Sequence, residues 1–316
     1  MPTVLMTAPY MIPFLDRFKP EFDKYGIDLI TPDVQERMEE KDLLNYAGQF
    51  DGAICGDDRY TAKVIEACSP RLRVISKWGT GVDSIDASAC AKFNVKLCRT
   101  QNAFTTPVAD TVLGYMLAFA RRLPWMDSEM KKGKWEKIPG KTLSECTLGI
   151  IGVGNIGKAV TRRAKAFGMK VLGTDIMDID HVFISETGIE MTKIEYLLSN
   201  SDFVSINCDL NPTSHHLMNA KTFALMKPNA VLINTARGPI VKENDLIAAL
   251  HQKQIAGAAL DVFEYEPLPN DSPLLKMDNV MLAPHNSNSS PTAWERVHWN
   301  TIKNLVEGLG MEYVSK

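Results

Sequence analysis

The sequence predicts an α/β protein built from two Rossmann-like, doubly wound parallel-sheet domains. Three observations carry this prediction. At 316 residues the chain is too long for one core and about right for two. Short β-branched runs closed by glycine, proline or a charged residue alternate with helical stretches, the pattern of a parallel sheet. That alternation occurs twice, on either side of one long apolar helix and a polar arm.

The first series opens on "TVLMTAP", a strand running into a proline turn. "PFLDRFKPEFDKYG" reads as an amphipathic helix closed by Gly26, and "IDLITP", "DGAICG" and "LRVISKWG" as further strands. From Pro107 to Leu123, "PVADTVLGYMLAFARRL" is a nearly all-apolar helix, too short and too basic at its end for a membrane. Burial against another domain or subunit is its expected role. The polar arm "PWMDSEMKKGKWEKIPGKTLSE" follows. The second series then supplies six strand-like runs: "TLGIIG", "KVLGTD", "FVSIN", "AVLINTA", "IAGAALDVF" and "NVMLAP". A last helix is expected from roughly Thr292 to Leu309.

Composition narrows the function. Hydrophobic residues at 45% and charged residues at 23% suit a globular enzyme rather than a disordered or fibrous chain. A net charge of -3 leaves no basic footprint for nucleic acid. No apolar run approaches the ~20 residues of a membrane span. The N-terminus lacks the basic start and apolar stretch of a signal peptide. The six cysteines (Cys55, Cys68, Cys90, Cys98, Cys146, Cys208) are scattered without a C-x-x-C pair, so neither a disulfide framework nor a metal site is expected. The expected setting is cytoplasmic, with a small-molecule partner and neither nucleic acid nor membrane.

One motif carries specific chemistry. In "TLGIIGVGNIGKAVTRRAKAFGMKVLGTD" an apolar strand leads into Gly152-x-Gly154-x-x-Gly157, then a helix, then a strand ending at Asp175, 18 positions past Gly157. Gly152 permits the tight turn, Gly154 lets the backbone approach a pyrophosphate, and Gly157 lets helix and strand pack closely. Asn155 and Ile156 complete the loop at a helix N-terminus, whose N–H groups favour phosphate. Asp175 is placed to accept from the adenosine ribose hydroxyls. Ile176 and Met177 follow it rather than an arginine for a 2′-phosphate, which favours NAD over NADP.

Ligands of open α/β sheets bind beyond the carboxyl ends of the strands. "AVLINTARG" delivers Arg237 there, "IAGAALDVFEYEP" delivers Asp261, Glu264 and Glu266, and "NVMLAPH" delivers His285. A guanidinium, a carboxylate and an imidazole suit a carbonyl/alcohol redox site. On spacing alone, a surface ion pair for the arginine and a cap for the carboxylate are equal readings. The other histidines, His181, His215, His216, His251 and His298, fall in helical or loop contexts without such partners and read as structural.

These ordered motifs resemble the D-isomer-specific 2-hydroxyacid dehydrogenases over nearly the whole chain. "KWGTGVDSID" looks like that family's substrate loop, "TPVADTVLGYMLAFARRL" its interdomain helix, and "GKW" the segment after it. "LGIIGVGNIGKAV" looks like its nucleotide signature. "NTARG", "ALDVFEYEP" and "APH" look like its arginine, glutamate and histidine motifs. The resemblance implies that Arg237 binds the substrate carboxylate and carbonyl, that His285 is the acid/base, and that Glu266 is hydrogen-bonded to it. It implies backbone amides around Gly79, Thr80 and Gly81 on the substrate carboxylate, Asp261 on the nicotinamide carboxamide, and Thr235 and Ala236 along the nicotinamide. It further implies a flavodoxin-like substrate domain, 1–101 plus 287–316, an NAD-binding Rossmann domain, 102–286, and an active site in the cleft between them. A homodimer through the long helix and arm is implied as well.

The chain departs from the family pattern at "NCDLNPT", where Asp209 and Asn211 replace a proline and a threonine beside Asn207 and Cys208, which would sit near the adenosine. Asp57 and Asp58 stand where phosphoglycerate-using members often carry a basic residue, leaving Arg59 and Lys77 as anion contacts. In "APHNSNSSP", Ser287 and Asn288 either cap the final helix or bond a polar substituent on the substrate. The expected activity is NAD-dependent hydride transfer between nicotinamide and a small 2-oxo or 2-hydroxy acid of the D series, such as hydroxypyruvate, glyoxylate or a phosphoglycerate-like acid. Oxidation of a small anion such as phosphite, and an NAD-sensing corepressor, are the alternatives.

Overall fold

The computed structural model describes residues 1–314. The chain divides into two compact units, one comprising Met1–Phe104 and the segment from Ser290 onward, the other Thr105–Ser289. No helix among the described residues is long and apolar enough to cross a membrane.

The first unit holds five strands: β1 (Thr3–Met6), β2 (Asp28–Ile30), β3 (Gly52–Cys55), β4 (Val74–Lys77) and β5 (Lys96–Arg99). They pair in parallel in the order β2-β1-β3-β4-β5, the flavodoxin-like arrangement. The inner strands β1, β3 and β4 are buried on both faces, so they read as continuous apolar runs. One face is covered by Phe18, Phe22, Val297, Ile302 and Leu305, the other by Leu43, Phe50, Val64, Ile65 and Leu72. The C-terminal helix Pro291–Gly308 belongs to this unit, and Ser76 donates its hydroxyl to the Thr301 carbonyl at 2.8 Å.

The second unit holds β6 (Thr147–Ile151), β7 (Lys170–Thr174), β8 (Glu190–Met191), β9 (Phe203–Ile206), β10 (Val231–Asn234), β11 (Gly257–Leu260) and β12 (Val280–Leu282). The order is β12-β11-β10-β9-β6-β7-β8, parallel throughout, and the direction of winding reverses between β6 and β9. That reversal is the topological switch at which dinucleotides bind in such sheets. The apolar helix spans Thr105–Arg121 and buries Val112, Met116 and Phe119 in this unit's own core.

Three elements escape the sequence pattern. The edge strands β5 and β8 carry alternating polar residues and short lengths, so neither stands out as an apolar run. The polar arm begins with a helix, Leu123–Lys131, which starts after Arg122 turns left-handed at φ +57° and has proline in its first turn.

Candidate active site

The glycine-rich turn joins β6 to the helix Asn155–Ala166. Gly152 sits at φ +90° against the Cys208 backbone, a conformation and a spacing that exclude a side chain. Gly154 precedes the helix, and an added Cβ there meets nothing, so the ground above the helix N-terminus is open. Asn155, Ile156 and Gly157 form the first turn, whose N–H groups are the donors a pyrophosphate requires. Asp175 follows β7; its Oδ2 accepts the Val153 N–H at 2.6 Å and its Oδ1 the Met177 N–H at 2.9 Å. A carboxylate has about four acceptor positions, so it fixes the loop and retains capacity for ribose hydroxyls. The Ile176 and Met177 side chains beside it are exposed.

Asn207 and Cys208 follow β9, and burial pushes the Cys208 thiol up to about 11, so it stays a neutral neighbour of the turn. Thr235 and Ala236 follow β10; the Thr235 hydroxyl is buried without a hydrogen-bond partner among the described residues. An orphaned buried hydroxyl costs about 1–3 kcal/mol, and a polar ligand at this strand end relieves it. The residues present therefore fit a nicotinamide dinucleotide from phosphate turn to ring.

A histidine–carboxylate pair sits beyond the next two strand ends. Asp261, directly after β11, is fully buried and takes three successive backbone amides. Its carbonyl accepts the His285 N–H at 2.7 Å, its Oδ1 the Asn286 N–H at 2.7 Å, and its Oδ2 the Ser287 N–H at 2.9 Å. His285 stands at φ +50°, a left-handed conformation that costs about 1–2 kcal/mol outside glycine. The Asp261 clamp holds it there. The imidazole then meets Glu266, with Nδ1 to Oε2 at 3.0 Å, while Glu266 Oε1 accepts the Phe263 N–H at 2.9 Å. Arg237 follows β10, and its Nη1 donates to the Ala236 carbonyl at 2.8 Å.

In the first unit, Lys77 ends β4 and leads into Gly79, Thr80 and Gly81. Its ammonium lies 3.1 Å from Asp57 Oδ1, with the side chain only 5% exposed. Asp58 is buried and accepts from Thr7, Met38 and Gly56, so it braces the loop after β3. Burial pushes its carboxyl up. Trp78 donates its indole N–H to His298 Nδ1 at 3.0 Å, beneath the same loop.

Two sequence expectations need correction. His216 does have a carboxylate partner: its Nε2 lies 2.6 Å from Glu264 Oε1, a pairing across 48 residues that no local pattern reveals. The final helix is capped by Ser290, whose hydroxyl accepts the Ala293 N–H, so Ser287 and Asn288 are not its caps. Ser287 is instead held by Asp261.

A glycine-rich turn, a carboxylate after β7, an arginine and a histidine–glutamate pair, all beyond the carboxyl ends of one parallel sheet, fit a nicotinamide-dependent oxidoreductase. Residues 113–287 match the family model for the D-isomer specific 2-hydroxyacid dehydrogenase, NAD binding domain. A glyoxylate reductase of Korarchaeum cryptofilum is 38% identical over 255 residues, covering 79% of this chain and 76% of that protein. A hydroxypyruvate reductase of Thermotoga maritima is 34% identical over 282 residues, covering 87% and 90%. Among solved structures, D-lactate dehydrogenase of Aquifex aeolicus, complexed with NAD and lactic acid, superposes with a TM-score of 0.85 at 26% identity, covering 95% and 93%. The chain belongs to the D-isomer specific 2-hydroxyacid dehydrogenase family and is an NAD-dependent enzyme of that class.

Proposed function

We propose that the protein interconverts a small 2-oxo acid and its D-2-hydroxy acid, with a polar, uncharged substituent at the carbon beyond the carbonyl, as in hydroxypyruvate, or none, as in glyoxylate. The observation that carries this reading is the His285–Glu266 pair at 3.0 Å on a loop locked by Asp261. Bound NADH supplies the hydride to the carbonyl carbon. Glu266 occupies Nδ1, so Nε2 is the nitrogen that gives a proton to the forming alkoxide, or takes it in the reverse direction. Glu266 stabilises the protonated ring, and Arg237 holds the substrate carboxylate and the charge developing on the carbonyl oxygen. Asp175 at the ribose favours NAD over NADP.

Roles for the two units follow. Thr105–Ser289 holds the cofactor, with Asp261, Thr235 and Ala236 along the nicotinamide and Asn207 and Cys208 near the adenosine. The other unit presents Gly79, Thr80 and Gly81 to the substrate carboxylate. The Lys77–Asp57 pair at 3.1 Å supports the choice of substituent: its ammonium is already compensated, so a hydroxyl is favoured over a phosphate. Asn288 is assigned to the same substituent. The enzyme works in the cytoplasm as a homodimer; Trp135 in the arm, 87% exposed in the single chain, supports an interface there.

The test is a panel of 2-oxo acids with NADH, followed by absorbance: glyoxylate, hydroxypyruvate, pyruvate and phosphohydroxypyruvate. Turnover of the first two, with phosphohydroxypyruvate poor, is expected. Preference for phosphohydroxypyruvate would overturn the substituent assignment. Silence on the whole panel would overturn the reading itself, in favour of phosphite oxidation or of NAD-sensing corepression. If Asn288→Ala leaves the ranking of hydroxypyruvate and pyruvate unchanged, Asn288 drops out of the substituent site.

A further inference from the structure

A second histidine–carboxylate pair lies outside the site just described. His216 Nε2 meets Glu264 Oε1 at 2.6 Å, and both side chains are partly buried. Glu264 Oε2 accepts the Glu243 N–H at 3.0 Å, and the Glu264 N–H donates to Glu243 Oε2 at 3.2 Å. Glu264 is thus tied on three sides. Its place in the chain matters: it stands between Phe263, whose N–H holds Glu266 Oε1, and Glu266 itself.

The histidine is itself held by the other catalytic segment. His216, at φ +51°, donates its backbone N–H to the Pro239 carbonyl at 2.8 Å, two residues past Arg237. Between them Gly238 lies flat on the Phe263 carbonyl and the Glu264 nitrogen, where any Cβ would overlap. The segment after Arg237, the turn bearing Glu266 and the loop bearing His216 therefore meet at one point. Asn211 and Ser214 shape that loop: Asn211 Oδ1 accepts the Thr213 N–H at 2.8 Å, and the Ser214 hydroxyl donates to the Asp209 backbone carbonyl at 2.7 Å.

We propose that His216 is a positioning residue: by gripping Glu264 it fixes the turn that presents Glu266 to His285. The assignment rests on the acid/base reading of His285 and Glu266. A hydrogen bond to a carboxylate contributes more than a neutral one, and here it restrains a turn whose middle residue, Tyr265, is 71% exposed. Without the grip, Glu264 keeps its two bonds to Glu243 but loses the tie to the loop bearing His216.

The experiment uses the full chain and two readouts. In hydrogen exchange, His216→Ala and Glu264→Ala should each speed exchange of the Phe263 and Glu264 amides about tenfold or more, the scale of one lost hydrogen bond to a charged group. Exchange in β6 and β7 should stay as in the parent. In kinetics with glyoxylate, both variants should lower kcat about tenfold while KM moves less than about twofold. His216→Gln, which keeps an N–H donor, should recover most of kcat. In a Glu266→Ala background, His216→Ala should cost nothing further. Unchanged exchange at Phe263 and Glu264 would overturn the proposal even if the parent turns over no 2-oxo acid. An equal fall in kcat with and without Glu266 would also overturn it, leaving the acid/base reading intact.

Discussion

Asp261 and Asn286 are joined by a 2.7 Å bond from a backbone amide to a fully buried carboxylate, which places the loop after β12 on the end of β11. The same side chain also holds the Ser287 amide, and the Asp261 backbone carbonyl holds the His285 amide, so one residue anchors the loop that carries the left-handed His285. Asp261→Asn keeps one acceptor and turns an NH2 group toward an N–H donor. Stability should fall by about 1.5–3 kcal/mol, the range for hydrogen bonds to a charged group, and kcat should fall with it. Urea unfolding with parallel kinetics checks this; a variant as stable and active as the parent would remove the clamp.

His285 itself is reached by the simplest substitution. His285→Ala should lower turnover about a hundredfold or more, the scale of lost general acid/base catalysis. NADH binding, read by fluorescence, should persist, because the phosphate turn and Asp175 lie at other strand ends. Near-parental turnover would assign the proton transfer elsewhere.

Asp175 holds the glycine-rich loop through Val153, and the proposed function gives its remaining lone pairs to the ribose. Asp175→Ala should therefore weaken NAD binding and narrow the preference over NADP. A preference ratio that does not move would show that the carboxylate acts on the loop alone.

The architecture was legible because both sheets are parallel and covered on each face, so β1, β3, β4, β6, β9, β10 and β11 are written as continuous apolar runs. The edges β5 and β8 were not, since an edge strand needs no apolar run. At the site, residue types at strand ends were readable: Arg237, Asp261, Glu266 and His285 all fall where the pattern puts them. Their partners were not. Asp261 acts on backbone amides, which leave no mark in a sequence. His216 and Glu264 meet across 48 residues through two loops, and only folding brings them together. The same holds for His298, which reads as an ordinary helical residue until Trp78 arrives from β4.

That last pair sets a pH dependence. His298 is buried and accepts the Trp78 indole N–H through Nδ1, so protonation removes the acceptor. Burial holds its pKa below the ordinary 6.5, with Glu295 pulling up and Arg17 pushing down. The sign follows from proton counting: between the lowered folded value and 6.5 the unfolded chain binds the proton and the folded one does not. Stability is complete above 6.5 and is lost as pH falls from there toward the folded value. Urea midpoints at about pH 7.5 and about pH 5.5 should differ accordingly, with tryptophan fluorescence as the probe. His298→Gln keeps an acceptor that does not titrate in this range, so it should flatten that part of the slope. The anchored residue, Trp78, leads directly into Gly79, Thr80 and Gly81, so KM for the 2-oxo acid should rise over the same interval in the parent and less in the variant. A slope identical in parent and His298→Gln would place the titrating group elsewhere.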